Sequence, residues 1–495
     1  MQNVGAAWAM TTMAPSALLV ALVQTATNLP VFLLGVLAGA IGDIVDRRKL
    51  LLITQGWMLL AAAVLGALTI AGHSGPWILL WLTFALGLGA TMNGPAWQAI
   101  MPELVPKAEL PAAIALNSMG FNVARAVGPA LGGLVVAAIG AGAAFILNAI
   151  SFIAVLIVLY FWKRAPEHSP DSTETVMTAI WAGMRYVRFA PTMQSVLLRS
   201  GTFVISASAI WSLLPLVAKV ELHRESSGFG VLLGCLGAGS ILGALVIGRL
   251  RQLFSPEVIV TSAVVMFGLA NIALAYLESF AAVAIVLLTG GVAWMFANSS
   301  LNTAAQTSVP AWVRARAMAL YLLGFQGSMA IGSVIWGEVA SRFGLRTTLL
   351  VAGIALGVAA AATVRLRLSA SEHLDVSPSL HLPDPTLAIE RSPEHGPVLV
   401  TVEYAIEPQR HAEFARAMDA LRTIRRRDGA VRWGLFEDAA IPGKYIETFV
   451  VDSWAEHLRQ HERMTIADRD AEAAARVFHI GSEPPKVTHW IAARE

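Results

Sequence analysis

Gly35-Val-Leu-Ala-Gly39-Ala-Ile-Gly-Asp43-Ile-Val-Asp46-Arg47-Arg48-Lys49 opens the segment on which the reading of this chain turns. It recurs as Gly239-Ser-Ile-Leu-Gly243-Ala-Leu-Val-Ile247-Gly-Arg-Leu-Arg251. The offset that takes Gly39 to Gly243 also takes Gly87 to Gly291 and Val105-Pro106 to Val309-Pro310. It carries Ala113, Ala115 and Leu116 onto Ala317, Ala319 and Leu320, and Gly120-Phe121 onto Gly324-Phe325. Gly128 falls on Gly332 and Gly133 on Gly337. Glycine- and alanine-rich apolar sequence matches itself easily. One offset shared by Val-Pro, Gly-Phe and Arg pairs is harder to dismiss, and such repeats recur in membrane transporters. The expectation is a duplicated bundle of membrane helices.

Composition supports a lipid environment. Hydrophobic residues make up 56% of the chain and charged residues 14%, against about a quarter charged in soluble domains. The net charge of +2 says little, because the charges are unevenly placed. The single cysteine, Cys235, lies in an apolar glycine-rich run and reads as a packed small side chain. Met1-Gln2-Asn3-Val4 lacks the basic start of a cleavable signal peptide.

A membrane span needs about 20 apolar residues. The candidates are Gln2–Ala14, Ala17–Gly39, Leu50–Ile70, Trp77–Ile100, Leu110–Ile139 and Ala144–Trp162. After a polar linker come Val196–Val217, Gly230–Gly248, Val258–Leu277, Phe280–Gln306, Ala317–Ala340 and Thr347–Val364. The first is too short to cross, so the chain is expected to start partway through a helix. Basic residues settle the expected topology. Arg47, Arg48, Lys49, Lys107, Lys163, Arg164, Arg185, Arg188, Arg249, Arg251, Arg314, Arg316, Arg365 and Arg367 fall on one side, and Lys219, Arg224, Arg342 and Arg346 on the other. This predicts a multi-pass protein of the plasma (inner) membrane with its C-terminus in the cytoplasm. The expected divisions are a six-helix half over 1–165, a cytoplasmic linker over 166–195, a second half over 196–368, a flexible linker over 369–397 and a soluble domain over 398–495. Within the first linker, Ala179 to Phe189 has Trp181, Met184, Val187, Arg185 and Arg188 at spacings suited to an amphipathic helix on the membrane surface.

Beyond the second linker, Val398–Tyr404 alternates like a strand and Arg410–Arg427 has helical spacing. Asp428-Gly429 turns the chain into Val431–Glu437, Pro442-Gly443 leads to Tyr445–Val451, Trp454–Asp470 is helical and Val487–Ile491 is a last strand. The β-α-β-β-α-β order predicts a ferredoxin-like sandwich, and roughly 95 residues can just sustain its core.

The repeated loop carries chemistry of its own. Gly39 has no side chain, so a neighbouring helix can approach. Asp43 ends a helix, where a carboxylate wants a cation or another helix's N-terminus, and Arg47 and Arg48 are near. Such a cluster can latch the ends of helices together. Its plain alternative is ordinary positive-inside charge. Further on, Arg125-Ala-Val-Gly128-Pro129-Ala-Leu-Gly132-Gly133 places an arginine inside a span, at a cost of about 2.5–3.5 kcal/mol or more. Arg125 should face a cavity or a partner. Pro129 frees a backbone carbonyl, and the glycines allow close packing and bending.

Gly39, Asp43, Arg47 and Arg48 match the signature loop of the major facilitator superfamily, whose members are two parallel repeats of six helices. Ile44 stands where that family often has a basic residue, and Asp46 replaces the usual glycine. In the second copy Ile247 replaces the aspartate, so a second latch is expected to be weaker. The Gly128, Pro129, Gly132, Gly133 stretch resembles the antiporter motif of drug-exporting members, which implies efflux; Ser333 replaces its proline in the second copy. The membrane part resembles the branch with the enterobactin exporter and the transmembrane secretion effector group. The tail, with Arg425-Arg-Arg-Asp-Gly-Ala430 and Ser453-Trp-Ala-Glu-His-Leu-Arg-Gln-His461, is similar to the antibiotic-biosynthesis monooxygenase type of ferredoxin-like domain. The resemblance implies an all-α membrane bundle of two six-helix halves, the first helix truncated, plus a small α+β domain.

Gln24, Asn28, Asn93, Asn122, Asn302, Gln306 and Gln326, with Arg125, are candidates to line a substrate cavity, and helix–helix hydrogen bonds are their plain alternative. Trp8, Trp97, Trp211 and Trp294 could stack on a bulky ligand or anchor at the interface. No mid-membrane carboxylate stands out, so protons as a partner are implied by the resemblance alone. His457 and His461 are one helical turn apart and could hold a metal with His411 or His479, but a solvated helix is the preferred reading. The arginines at 422 and 425–427 read as a solvated face. No catalytic residues, cofactor, metal or nucleic-acid partner are expected. The expected function is secondary-active export of a small amphipathic molecule (a siderophore, drug or secondary metabolite) by alternating access. The alternative is a membrane-tethered monooxygenase or ligand-sensing domain fused to a carrier. The soluble domain is a candidate for dimerisation.

Overall fold

The computed structural model describes residues 1–14, 16–106, 109–162, 176–366, 368, 375–379, 381 and 395–493. They form two compact units. One comprises Met1–Ser172, Leu197–Asn302 and Tyr321–Arg367; the other comprises Thr173–Val196, Thr303–Leu320 and Leu368–Glu495.

The first unit is helical. Its N-terminal half contains α1 (Gln2–Met13), α2 (Ala17–Ile44), α3 (Arg47–Ile70), α4 (Pro76–Leu104) and α5 (Leu110–Phe161). The Asp46 side chain accepts the Lys49 N–H at 2.9 Å and caps α3, which explains an aspartate where the family pattern has glycine. α5 is two spans joined at Gly140, whose φ of 84° and ψ of 166° only glycine adopts without strain. The chain resumes in the second unit with α6 (Val176–Arg188), and α7 (Pro191–Leu216), α8 (Ser226–Leu253), α9 (Pro256–Tyr276), α10 (Phe280–Thr307), α11 (Ala311–Phe343) and α12 (Leu345–Thr363) follow, the start of α7, the end of α10 and the start of α11 also falling in the second unit. Gly344, which precedes α12, has φ 83° and ψ 165°, nearly the dihedrals of Gly140. The two glycines are separated by the same offset as the repeat, so the duplication holds at the level of backbone geometry. Among the described residues ten helices are long and apolar enough to cross a membrane. Small residues let the helices close up within each half. A methyl group on Gly239 would lie 1.9 Å from the Leu288 carbonyl oxygen, and one on Gly291 2.0 Å from that of Leu236.

The second unit contains a four-stranded antiparallel sheet of order β2-β3-β1-β4, with β1 at Val398–Ala405, β2 at Arg432–Glu437, β3 at Lys444–Val451 and β4 at Lys486–Ile491. Helices α13 (His411–Asp428), α14 (Trp454–Arg463) and α15 (Ile466–Arg476) accompany it. Val400, Val402 and Tyr404 pair in register with Phe449, Glu447 and Tyr445. Phe414, Met418 and Leu421 of α13 bury against Val402, Tyr404 and Tyr445. Glu447 is fully buried in this core, where the Trp433 indole N–H donates to it at 3.0 Å and Arg425 approaches at 3.4 Å. The arginine run is therefore solvated only in part: Arg422 is exposed, but Arg425 and Arg427 turn inward. Arg425 pairs with Glu447 and Glu472, and Arg427 with Asp428 and Asp468, because a buried guanidinium needs carboxylates around it. Upstream, Ile466 N–H donates to Ser377 O at 3.0 Å and Ser379 N–H to Met464 O at 2.9 Å.

Candidate functional site

Two seams join the halves within the helical unit. At the first, α5 meets α8. A methyl on Gly133 would lie 2.7 Å from Gly230 Cα and 2.7 Å from the Ser226 carbonyl oxygen. At the second, α11 meets α2. A methyl on Gly337 would lie 2.6 Å from Ala21 Cβ and 3.1 Å from Leu18 Cα. Gly337 is the repeat partner of Gly133, and α2 is the repeat partner of α8. The two seams thus pair repeat-related helices, the arrangement a pseudo-twofold between halves produces, although the second contact on α2 lies about one turn from the position equivalent to Gly230. More bonds gather at this end. Thr25 Oγ1 donates to Ala330 O at 3.1 Å, Leu18 N–H donates to Ser341 Oγ at 2.9 Å, and Lys219 Nζ donates to Thr11 O. Trp8 stacks on Phe229 at 6.2 Å. Towards the other end, methyls on Gly120, Gly128 and Gly248 would meet nothing within 4 Å. Gly132 sits under Met1, and Pro129 O approaches Gly230.

The signature loop lies at that second end. Gly39 ends no tight contact, since a methyl there would meet nothing within 4 Å, whereas its counterpart Gly243 would meet Met295 Cβ at 3.0 Å. Arg47 opens α3. Arg48 donates through Nε to Leu159 O at 3.0 Å and through Nη2 to Tyr160 O at 2.5 Å. It thereby satisfies carbonyls that the C-terminus of α5 leaves without intrahelical partners. The side chains of Asp43, Arg125 and Asn122 lie outside the described residues, although α2 and α5 carry their backbones.

The in-span amides divide. Asn93 Oδ1 accepts from Gln55 Nε2 at 3.1 Å and Thr54 Oγ1 at 3.2 Å, which ties α3 to α4. Asn28 donates back to Gln24 O at 2.7 Å within its own helix. Gln24 and Gln326 are half-buried on α2 and α11, Asn302 is half-buried on α10, and Gln306 is exposed in the second unit. Two of the expected tryptophans come together. Trp294, 3% exposed, has Trp211 at 5.2 Å, Phe203 at 5.5 Å, Phe267 at 5.9 Å and Phe325 at 6.0 Å. Both indole N–H groups are buried without a hydrogen-bond partner. The phenylalanines were not singled out in the sequence, because nothing local marks residues from α7, α9, α10 and α11 as neighbours. The same holds for Arg199, buried in α7, which donates to Thr261 Oγ1 at 2.9 Å and Leu366 O at 3.3 Å.

The comparisons with known proteins agree with this geometry. The sequence matches the transmembrane secretion effector family over residues 1–495. The chain belongs to that family of major facilitator transporters. It is 24% identical over 355 residues to the staphyloferrin A transporter of Staphylococcus aureus (strain NCTC 8325 / PS 47), covering 71% of this chain and 88% of that one. It is 26% identical over 374 residues to the multidrug efflux pump Tap of Mycolicibacterium fortuitum, covering 71% and 88%. Among solved structures, a bacterial homologue of the human lysosomal transporter Spinster, inward-facing and unoccupied, superposes with a TM-score of 0.60 at 15% identity, over 75% of this chain and 94% of that one.

The domain built on the four-stranded sheet carries histidines of its own. His411 Nδ1 bonds the Tyr445 hydroxyl at 2.7 Å and His479 Nδ1 accepts the Ala405 N–H at 3.0 Å, so neither reaches His457. His461 and His489 do, with ring centroids 4.7 and 4.8 Å away. Among the described residues no group of three is set to hold a metal ion. His457 is 2% exposed rather than solvated, and burial, then the neighbouring imidazoles, push its pKa down to about 3.

Proposed function

We propose that this transporter exports a small amphipathic molecule, of siderophore, drug or secondary-metabolite size, by rocking its halves about the two glycine seams. The observation that carries the reading is the equivalence of the Gly133 and Gly337 contacts, which gives the halves matching pivots. The Lys/Arg-rich end is cytoplasmic, and the C-terminus with it. On this orientation the closed seams face outward and the substrate path opens inward. Trp211 and Phe325, half-buried at the edge of the aromatic cluster around Trp294, are the stacking candidates for a ring-bearing substrate, and the unpartnered Trp211 indole N–H is a hydrogen-bond donor for it. Gln24, Asn302 and Gln326, half-buried on α2, α10 and α11, are the amide candidates along the path, with Asn122 on α5, and Arg125 is its cationic one. Asp43, Arg47 and Arg48 latch the cytoplasmic ends. Glu278 is taken up by Arg346 at 2.9 Å and Glu338 by Arg342, so neither serves as proton carrier.

The test is export in a strain stripped of its own pumps. Cells expressing the chain should secrete more of an added siderophore, or retain less ethidium, than cells with the empty vector. Arg125→Ala should abolish the difference at unchanged protein level. Equal retention with and without the chain, across catecholate and carboxylate siderophores and ethidium, would refute export.

A further inference from the structure

Helix α6 has two faces, and only one is covered by protein. At 100° per residue, Trp181, Met184 and Arg188 fall within roughly 60° of arc, and Ala182 and Tyr186 lie opposite. The exposures follow that split. Trp181 is 63% exposed and Met184 36%, whereas Tyr186 is 2% exposed. The covered face carries the soluble domain. Arg185 Nη2 donates to Glu456 Oε1 at 2.9 Å, and Arg463 Nη1 donates to the same oxygen at 2.7 Å. The Arg427 guanidinium sits 5.5 Å over the Tyr186 ring, and Arg463 4.5 Å over Trp312, which meets Tyr186 edge-on at 5.9 Å. Tyr186 OH donates to Ser308 O at 3.2 Å. A methyl on Gly183 would lie 2.9 Å from Arg316 Cβ, so that position admits the start of α11.

The open face has a position imposed on it by the chain. α6 ends at Arg188, and α7, an apolar helix long enough to span, begins at Pro191. Whatever lies at the end of α7 must be within one turn of α6. We infer that α6 lies in the plane of the membrane interface, with Trp181 and Met184 in the headgroup layer and Arg188 on anionic phospholipid. Its opposite face at Tyr186 and its flank at Arg185 hold the soluble domain. A tryptophan on a basic amphipathic helix is suited to that layer, and an arginine beside it adds attraction to anionic lipid. The soluble domain is therefore held at the bilayer surface and is no free appendage on a tether. The inference rests on the membrane reading of α7.

The test uses the full chain in a Cys235→Ser background, reconstituted in vesicles of phosphatidylcholine and phosphatidylglycerol with or without lipid carrying a nitroxide near the headgroup. A bimane label is placed in turn through Trp181→Cys, Met184→Cys, Ile157→Cys on the exposed side of α5, and Arg416→Cys on the exposed side of α13. Labels at 181 and 184 should lose most of their emission to the nitroxide, and the label at 416 should keep its emission. Arg188→Glu should weaken quenching at 181, more so in vesicles with phosphatidylglycerol than without. If the label at 157 is quenched and those at 181 and 184 are not, the inference is overturned while the membrane reading stands. If 181 instead cross-links to a second copy, the open face is a dimer contact and the inference fails. If 157 also escapes quenching, the membrane reading falls and takes this inference with it.

Discussion

Gly133→Val tests whether the two seams open together. The added side chain starts 2.7 Å from Gly230 Cα and from the Ser226 carbonyl oxygen, both backbone atoms that cannot rotate away. Ordinary contact needs ~3.5–4.0 Å, so α5 and α8 must separate by roughly 1 Å. Overpacking of this kind costs about 1–3 kcal/mol. If the seam is closed in one transport state and open in the other, the whole cost falls on the closed state. The ratio of open to closed molecules then rises by about 5- to 150-fold. The reporter belongs on the other seam. Ala21 is fully buried beside Gly337, so Ala21→Cys in a Cys235→Ser background should react slowly with N-ethylmaleimide. Gly133→Val should speed that reaction by the same 5- to 150-fold, because rigid halves cannot part at one pivot alone. The repeat makes a second demand. Gly337→Val should speed alkylation of Ser226→Cys, a buried position on the first seam. A folded Gly133→Val protein with unchanged reactivity at position 21 would show that the seams do not move as one, and the pivot argument would be wrong.

Arg48→Ala should lower the melting temperature of the detergent-solubilised protein, by the equivalent of about 1–3 kcal/mol, since Leu159 O and Tyr160 O lose their donor. Arg48→Lys should recover part of this, and an unchanged melting temperature for Arg48→Ala would remove the capping role. His457 predicts acid sensitivity of the soluble domain. Its pKa is depressed from 6.5 to about 3, so the unfolded chain binds the proton first, and the associated stability is present above about pH 6.5 and lost as pH falls towards 3. By about pH 5 the loss should be about 2 kcal/mol. Hydrogen exchange in β4 and α14 should accelerate over that range, and His457→Phe should flatten the dependence; the same slope in His457→Phe would assign it elsewhere.

Of this protein, the sequence alone determined the spans, the duplication, the charge asymmetry and the strands of the tail, but it read one helix over Trp454–Asp470 where Thr465 caps a second and the structure has two, α14 and α15. Lipid demands long apolar runs with every backbone group satisfied within the helix, so span positions are written locally. The repeat is also local, legible as far as Gly133 and Gly337, and the structure extends it to Gly140 and Gly344 through their matched dihedrals. Much of the antiporter-like stretch was legible for the same reason, because Gly133 declares a close approach without saying to what. Only the tertiary structure decided the partners. It chose Gly230 for Gly133, Leu159 and Tyr160 for Arg48, and His489 rather than His411 or His479 for His457. It drew Arg425 and Arg427, from an arginine run that looked solvated, into buried ion pairs with Glu447, Glu472, Asp428 and Asp468. It gathered Phe203, Phe267 and Phe325 from three helices around Trp294 on a fourth. The physical reason is common to all of these. A side chain's helical or strand period says which way it faces, but the atoms it meets come from segments tens or hundreds of residues away, and only packing brings them into range.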